Sequence, residues 1–122
     1  ERIDHGLHCL DEPALHRAVK SRGITLTMCP TWRPSDPEPR RLKAMRQMLD
    51  LGLMVSINTD DPEEFASRYL TNTMIEVQRQ GGFSADDMVQ FTRNAFEGSW
   101  LETDERNKFL RELETHQKAY AD

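Results

Sequence analysis

The 122-residue sequence has few cysteines, few aromatic residues and no excess of positive charge. No stretch approaches the roughly 18–20 apolar residues that a membrane-spanning helix needs. Nucleic acids and anionic membranes favour basic surfaces, so a net charge of −5 argues against both as partners. No secretory signal accompanies Cys9 and Cys29. We therefore expect a reduced pair of thiols in a cytoplasmic protein.

The length limits the fold. One domain fits into 122 residues, but a complete α/β barrel needs roughly 200–250. Hydrophobic residues make up 37% of the chain and charged residues 30%, which indicates a globular protein with a small core. The chain begins at Glu1, without Met, inside a strand-like run. We therefore expect residues 1–122 to be one incomplete domain, a segment of a longer protein.

The first half of the chain alternates between strand-like and helix-like patterns. Strands are predicted near residues 2–6, 24–29 and 53–57. A helix with Asp11 as its cap and Leu15, Ala18 and Val19 on its apolar face is predicted to end at Gly23. A second helix is predicted over about 40–51, with an apolar stripe made of Leu42, Met45, Met48 and Leu49. A proline-rich loop is predicted between Pro30 and Pro39. The order β-α-β-α-β with short connections is typical of a parallel sheet covered by helices.

The second half is predicted to be helical. A helix is expected to follow Pro62, with an apolar stripe from Phe65 to Val77, and to end at the glycines 81–82. Ser84 and Asp87 have the spacing of a capping box for the next helix. Thr103 is expected to cap a last helix, whose stripe reaches Tyr120.

The chain is organised around the apolar run at residues 53–57, which leads into Asp60, Asp61 and Pro62. Runs of this kind are typical of strands in a parallel sheet, and functional groups gather at the carboxyl ends of such strands. Asp61 also has a purely structural explanation, because an acid before proline fits a helix cap. That explanation does not cover Asp60.

Three predicted strands end in residues that can bind metals or protons. His5 follows the first strand, Cys29 the second, and Asp60 with Asp61 the third. If the strands are parallel neighbours, these residues lie on one rim. Histidine and aspartate suit zinc or a similar divalent ion, but such sites usually take three protein ligands. The spacing by itself leaves a structural role for His5 open.

Three motifs carry a resemblance to a known family. They are Arg-Ile-Asp-His-Gly at residues 2–6, Thr-Met-Cys-Pro at 27–30 and Ser-Ile-Asn-Thr-Asp-Asp-Pro at 56–62. In order and rough spacing the chain resembles the adenosine and adenine deaminases of the amidohydrolase superfamily, from Arg2 to about Glu114. The resemblance implies an α/β fold, namely the C-terminal part of a TIM-type (β/α)8 barrel with strands six to eight, followed by C-terminal helices.

The resemblance also implies a site and an activity. Asp60 matches a ligand of a single Zn2+ ion, and His5 matches a histidine that orients and helps activate the attacking hydroxide. Asp61 matches an aspartate that hydrogen-bonds nitrogen N7 of the purine. A carboxyl facing that acceptor must carry a proton, which a like-charged neighbour such as Asp60 favours. The implied reaction is hydrolytic deamination at C6 of adenosine, adenine or a related 6-aminopurine.

The chain departs from the family pattern in two ways. It contains no His-x-His or His-x-x-Glu, so the other zinc ligands and the acid are expected outside it, and the chain alone is expected to be inactive. Three strands leave open edges, so we expect remaining barrel segments or self-association to cover them. Residues 31–36 match neither the adenosine deaminase nor the adenine deaminase version of this segment.

The alternative functions are deamination of another adenine-containing metabolite, such as aminodeoxyfutalosine, and a non-catalytic role as a helical interaction module.

Overall fold

The computed structural model describes residues 1–30, 40–64 and 69–120. Within them, three short strands form one parallel sheet in the order β1-β2-β3, as predicted. The helices follow or flank these strands. In chain order the elements are β1 Arg2–Asp4, a 3-10 turn Leu7–Leu10, α1 Pro13–Ser21, β2 Thr25–Met28, α2 Arg40–Asp50, β3 Val55–Ile57, α3 Leu70–Gly81, α4 Ala85–Glu97 and α5 Thr103–Ala119.

The two faces of the sheet differ in polarity because side chains alternate along each strand. On one face Leu26 pairs with Val55 and Met28 with Ile57, and all four lie in the apolar core. The opposite face carries Thr25, Thr27 and Ser56, which are also buried. The helices complete the core with Val19, Leu42, Met45, Met48, Val77 and Phe91, and the connection between α3 and α4 adds Phe83.

Several local predictions are confirmed. The α2 stripe of Leu42, Met45 and Met48 is buried against the sheet. Ser84 and Asp87 form the predicted capping box, because the Ser84 hydroxyl accepts from the Asp87 N–H and the Asp87 carboxylate accepts from the Ser84 N–H at 2.8 Å. These features depend on residues within one or two turns of each other, which is why the sequence pattern reveals them.

The predicted cap of α1 is wrong. Glu12 occupies the cap position and makes no side-chain capping bond. Asp11 instead accepts a 2.7 Å hydrogen bond from Nδ1 of His8, because the 3-10 turn brings that ring next to it. Only Val19 of the expected apolar face is buried, whereas Leu15 and Ala18 are exposed.

The beginning of α3 is also corrected. Residues 62–64 form a turn, and α3 begins at Leu70 after the extended residue Tyr69. Phe65, which was expected on the apolar stripe, lies outside the described residues, as do positions 31–39 of the predicted proline-rich loop. Gly82 ends α3 in a left-handed conformation, as predicted.

The last helix, α5, packs on α4 through the stacked rings of Phe96 and Phe109, whose centroids are 5.3 Å apart. Thr103 is its first residue and Glu102 its cap, which corrects the predicted cap by one position. Tyr120 is 82% exposed and does not contribute to the packed stripe. Among the described helices, none combines the length and apolar character needed to cross a membrane.

Candidate metal and catalytic site

A cleft of about 280 Å³ opens at the carboxyl ends of the three strands. The parallel sheet brings there the residues that follow each strand, as the sequence predicts. Most of the lining side chains are polar. The cleft is lined by Arg2, Asp4, His5, Thr27, Cys29, Asn58, Thr59 and Asp60.

Three potential metal ligands meet in this cleft. One donor atom from each of His5, Cys29 and Asp60 lies within 4.8 Å of the other two. Nδ1 of His5 is buried and has no hydrogen-bond partner among the described residues. Nitrogen, sulfur and carboxylate oxygen are the donors that zinc accepts in proteins, so the residues present fit a zinc ion. The structure thus brings together His5 and Asp60, two of the predicted site residues.

The backbone at both residues is unusual. His5 has φ 62° and Asp60 has φ 64°, and they are the two non-glycine residues with positive φ in the described part of the chain. Histidine and aspartate are among the residues that adopt this left-handed region most readily. Such conformations concentrate at functional sites, where the surrounding structure holds them in place. His5 directly follows β1 and Asp60 lies three residues after the end of β3, and both line the cleft.

Cys29 is a buried neutral thiol between the two strand ends. Burial and then the nearby Asp60 carboxylate raise the pKa of the thiol to about 11, although its sulfur accepts a hydrogen bond from the Asp60 N–H. Arg41 of α2 donates to the Cys29 carbonyl and ties the end of β2 to that helix. Cys9 and Cys29 are both free, as expected. The sequence placed Cys29 on the rim but gave it no role.

Asp61 is exposed and points into the turn that follows it. Its Oδ1 accepts hydrogen bonds from the N–H groups of Glu63 at 3.1 Å and Glu64 at 3.3 Å. The capping geometry expected from the sequence is therefore present, although it caps a turn and not a helix in the described residues. The role of Asp61 in substrate binding stays a prediction.

Sequence reasoning missed several residues of the cleft. Thr27 Oγ1 donates a 2.6 Å hydrogen bond to Asp4 Oδ1, and Ser56 Oγ donates to Asn58 Oδ1 at 2.8 Å. The available signal was the alternation of Thr25 and Thr27 with the apolar residues 24, 26 and 28. A strand with apolar layers packed against both faces would not show this alternation, because both sets of its side chains would be apolar.

Comparison with known proteins gives one family. The sequence model described as adenosine deaminase matches residues 1–116. An uncharacterized deaminase of Schizosaccharomyces pombe is 36% identical over 120 residues, which are 98% of this chain and 35% of that protein. An adenine deaminase of Rhodopseudomonas palustris is 33% identical over 123 residues, covering 99% of this chain and 36% of its own length.

A solved structure is similar as well. A zinc-bound amidohydrolase of Burkholderia ambifaria superposes with a TM-score of 0.85 at 28% identity, over 99% of this chain and 34% of that one. The predicted α/β fold, part of a TIM-type barrel made of three parallel strands and helices, is confirmed. The chain spans about a third of the length of the relatives it matches.

Proposed function

The chain belongs to the adenosine deaminase family, and from that premise we propose that the full-length protein hydrolytically deaminates a 6-aminopurine, with adenine as the preferred substrate. The observation that carries the proposal is the cleft in which His5 and Asp60 place donor atoms within 4.8 Å. Relatives named adenine deaminases support adenine over adenosine.

Asp60 is proposed to bind the zinc ion. A carboxylate beside a divalent cation stays ionised and can bind it directly. When bound, zinc supplies a water molecule whose pKa is lowered toward neutrality. The remaining ligands are proposed to come from outside residues 1–122, because the chain contains no His-x-His.

His5 is proposed to orient the attacking water and to exchange a proton with it. Its ring reaches the cleft, and Nδ1 is buried without a partner among the described residues. A positioned histidine in this role contributes roughly 10²–10⁴-fold to the rate. We expect His5→Asn, which tolerates the left-handed backbone of His5, to lower kcat by that factor while the zinc content stays unchanged.

Asp61 is proposed to donate a hydrogen bond to a ring nitrogen of the purine. Its Oδ1 is occupied by the N–H groups of Glu63 and Glu64, which leaves Oδ2 to carry the proton.

We further propose that residues 1–122 are the C-terminal segment of a single barrel domain and are inactive alone. The exposed side chains of Ile3 and Leu15 line a groove of about 600 Å³ beside β1, one of the two outer strands. The remaining barrel segments, or a second copy of the chain, would cover this groove. Zinc titration of the isolated chain should show only weak binding, and tight stoichiometric binding would contradict this proposal.

The experiment on function uses the zinc-loaded full-length protein. Ammonia release is measured with adenine, adenosine and aminodeoxyfutalosine, and zinc content is measured by elemental analysis. Asp60→Asn is the informative variant, because asparagine tolerates the left-handed backbone of Asp60 while the charge is lost. It should lose zinc and activity together, whereas Asp104→Asn, a change of charge on an exposed helix end, should lose neither.

Two results would overturn the proposal. One is a wild-type protein that contains zinc but releases no ammonia from any adenine compound. The other is an Asp60→Asn protein with unchanged zinc content and rate.

A further inference from the structure

The middle strand carries a hydroxyl that binds the residue preceding His5. Thr27 Oγ1 in β2 donates a 2.6 Å hydrogen bond to Oδ1 of Asp4 in β1. Asp4 and Thr27 are register partners across the two strands, so this bond runs beside the backbone ladder. Thr27 is buried and Asp4 is exposed, and a hydrogen bond to a carboxylate is stronger than one between neutral groups.

The same two residues hold the backbone of His5. The N–H of His5 donates to the Thr27 carbonyl at 3.0 Å, and the N–H of Gly6 donates to the Asp4 carbonyl at 2.8 Å. His5 therefore lies in a tight turn with φ 62°, between two contacts that involve Asp4 and Thr27. A left-handed residue with a Cβ persists when its surroundings over-determine it.

We propose that Thr27 and Asp4 are positioning residues that set the orientation of His5 in the cleft. The inference rests on the proposed function and names no new contact with substrate. The side-chain bond fixes the end of β1 to β2, so the turn at His5 starts from one defined backbone position. Small displacements of a reacting group lower the rate steeply, which makes the loss of this bond visible in kcat.

Thr25 provides a matched control. It lies two residues before Thr27 on the same face of β2 and is also buried, but its Oγ1 has no hydrogen-bond partner among the described residues. Thr25→Val therefore removes a hydroxyl without removing a bond within that part of the chain. Thr27→Val removes a hydroxyl together with its bond to Asp4, and Thr27→Ser keeps the donor.

The test compares these three variants in the zinc-loaded full-length protein. Thr27→Val should lower kcat about tenfold with KM and zinc content unchanged, because a hydrogen bond to a charged group is lost. Thr27→Ser and Thr25→Val should stay within about twofold of the wild type. The proposal is overturned if Thr27→Val and Thr25→Val lower kcat equally, or if Thr27→Ser falls as far as Thr27→Val.

A double-mutant cycle covers the case in which Thr27→Val folds poorly. Asp4 is exposed, so Asp4→Ala is a mild change, and it should lower kcat as Thr27→Val does. The double variant should lose no more than either single variant. Additive losses in kcat would show that Asp4 and Thr27 act separately and would overturn the proposal that they act as a pair.

A readout independent of activity separates this inference from the proposed function. The imidazole signal of His5 in NMR spectra, assigned through His5→Ala, should shift in Thr27→Val and Asp4→Ala but not in Thr25→Val. If the wild type is inactive and this pattern appears, the deaminase proposal fails and the positioning pair stands. If the wild type is active and the His5 signal does not respond, only the positioning pair fails.

Discussion

Asn94 of α4 donates a 2.9 Å hydrogen bond from Nδ2 to the backbone carbonyl of Val55 in β3. Both residues are buried, and Oδ1 of Asn94 accepts a second bond from Gln90. The bond joins a helix of the second half of the chain to the strand that leads to Asp60. Without this bond, the amide donor of Asn94 and the carbonyl of Val55 would both be buried and unsatisfied.

We expect Asn94→Ala to destabilise the protein by about 1–3 kcal/mol, because the Val55 carbonyl loses its buried partner. The free energy of unfolding is measured in urea. Glu97→Ala is the control, because Glu97 is an exposed residue of the same helix and its loss leaves both hydrogen bonds of Asn94 in place. Equal destabilisation by the two variants would show that the bond to Val55 contributes nothing specific.

Arg46 of α2 makes a bidentate ion pair with Asp87, the acidic partner of Ser84 in the capping box of α4, at 3.0 and 2.6 Å. The guanidinium also lies 4.5 Å from the ring centre of Phe83. The hydrogen bonds from Arg46 hold the pKa of the Asp87 carboxyl well below its usual range. Since the pKa is lower in the folded state, the stabilisation is complete above about pH 4 and is lost as the pH falls further.

We expect Asp87→Asn to cost about 1 kcal/mol at pH 7, since Arg46 is partly exposed to solvent, and to cost less at pH 3. Urea unfolding at both pH values measures the difference. Asp86→Asn changes the same charge in the same turn without touching Arg46 and should keep the pH dependence of the wild type. An unchanged pH dependence in Asp87→Asn would contradict the role of the pair.

Gly6 and Gly23 offer a comparison of backbone strain and packing. Both have positive φ, but a Cβ on Gly6 would lie 2.7 Å from Cδ2 of buried Leu26, whereas a Cβ on Gly23 would meet nothing within 4 Å. Each alanine variant should cost about 1–2 kcal/mol for the left-handed backbone. Gly6→Ala should cost a further ~1–3 kcal/mol for the overpacked contact. Thermal unfolding measures the loss of stability in both variants. Equal losses would mean that the Leu26 side chain moves away from the added methyl group without an energetic cost.

Asp61→Ser separates capping from substrate binding. Serine can still accept the N–H groups of Glu63 and Glu64, but it has no carboxyl group. We expect unchanged thermal stability and a kcat/KM for adenine that is lower by about 10–100-fold. Asp61→Ala should lose stability as well. If Asp61→Ser keeps the kcat/KM of the wild type, Asp61 serves only as the cap of the turn.

The sequence predicted the parts of the fold that short-range patterns specify. The three strands, the stripe of α2 and the Ser84–Asp87 box each depend on neighbouring residues. The start of α3 was wrong because Pro62 and the acids around it suit a turn as well as a helix, so the local pattern does not distinguish them.

Long-range pairings could not be predicted in the same way. Arg46 and Asp87 are 41 residues apart, and no local pattern selects one aspartate over the others. Asp4 and Thr27 become partners only through the register of β1 and β2. At the site, the motif around Asp60 and the rim position of His5 were predictable. The hydrogen bonds among the polar residues that line the cleft became evident only from the paired strands.

The left-handed backbone at Asp60 has a consequence for mutational scanning. Most side chains are disfavoured there whatever their chemistry, so a saturation library would rank nearly every replacement as harmful. Such a profile would overstate how strictly the carboxylate is required. Only asparagine, which accepts the same backbone conformation, reports on the loss of charge alone. Selection at this position therefore acts on the backbone geometry as well as on the chemistry of the side chain.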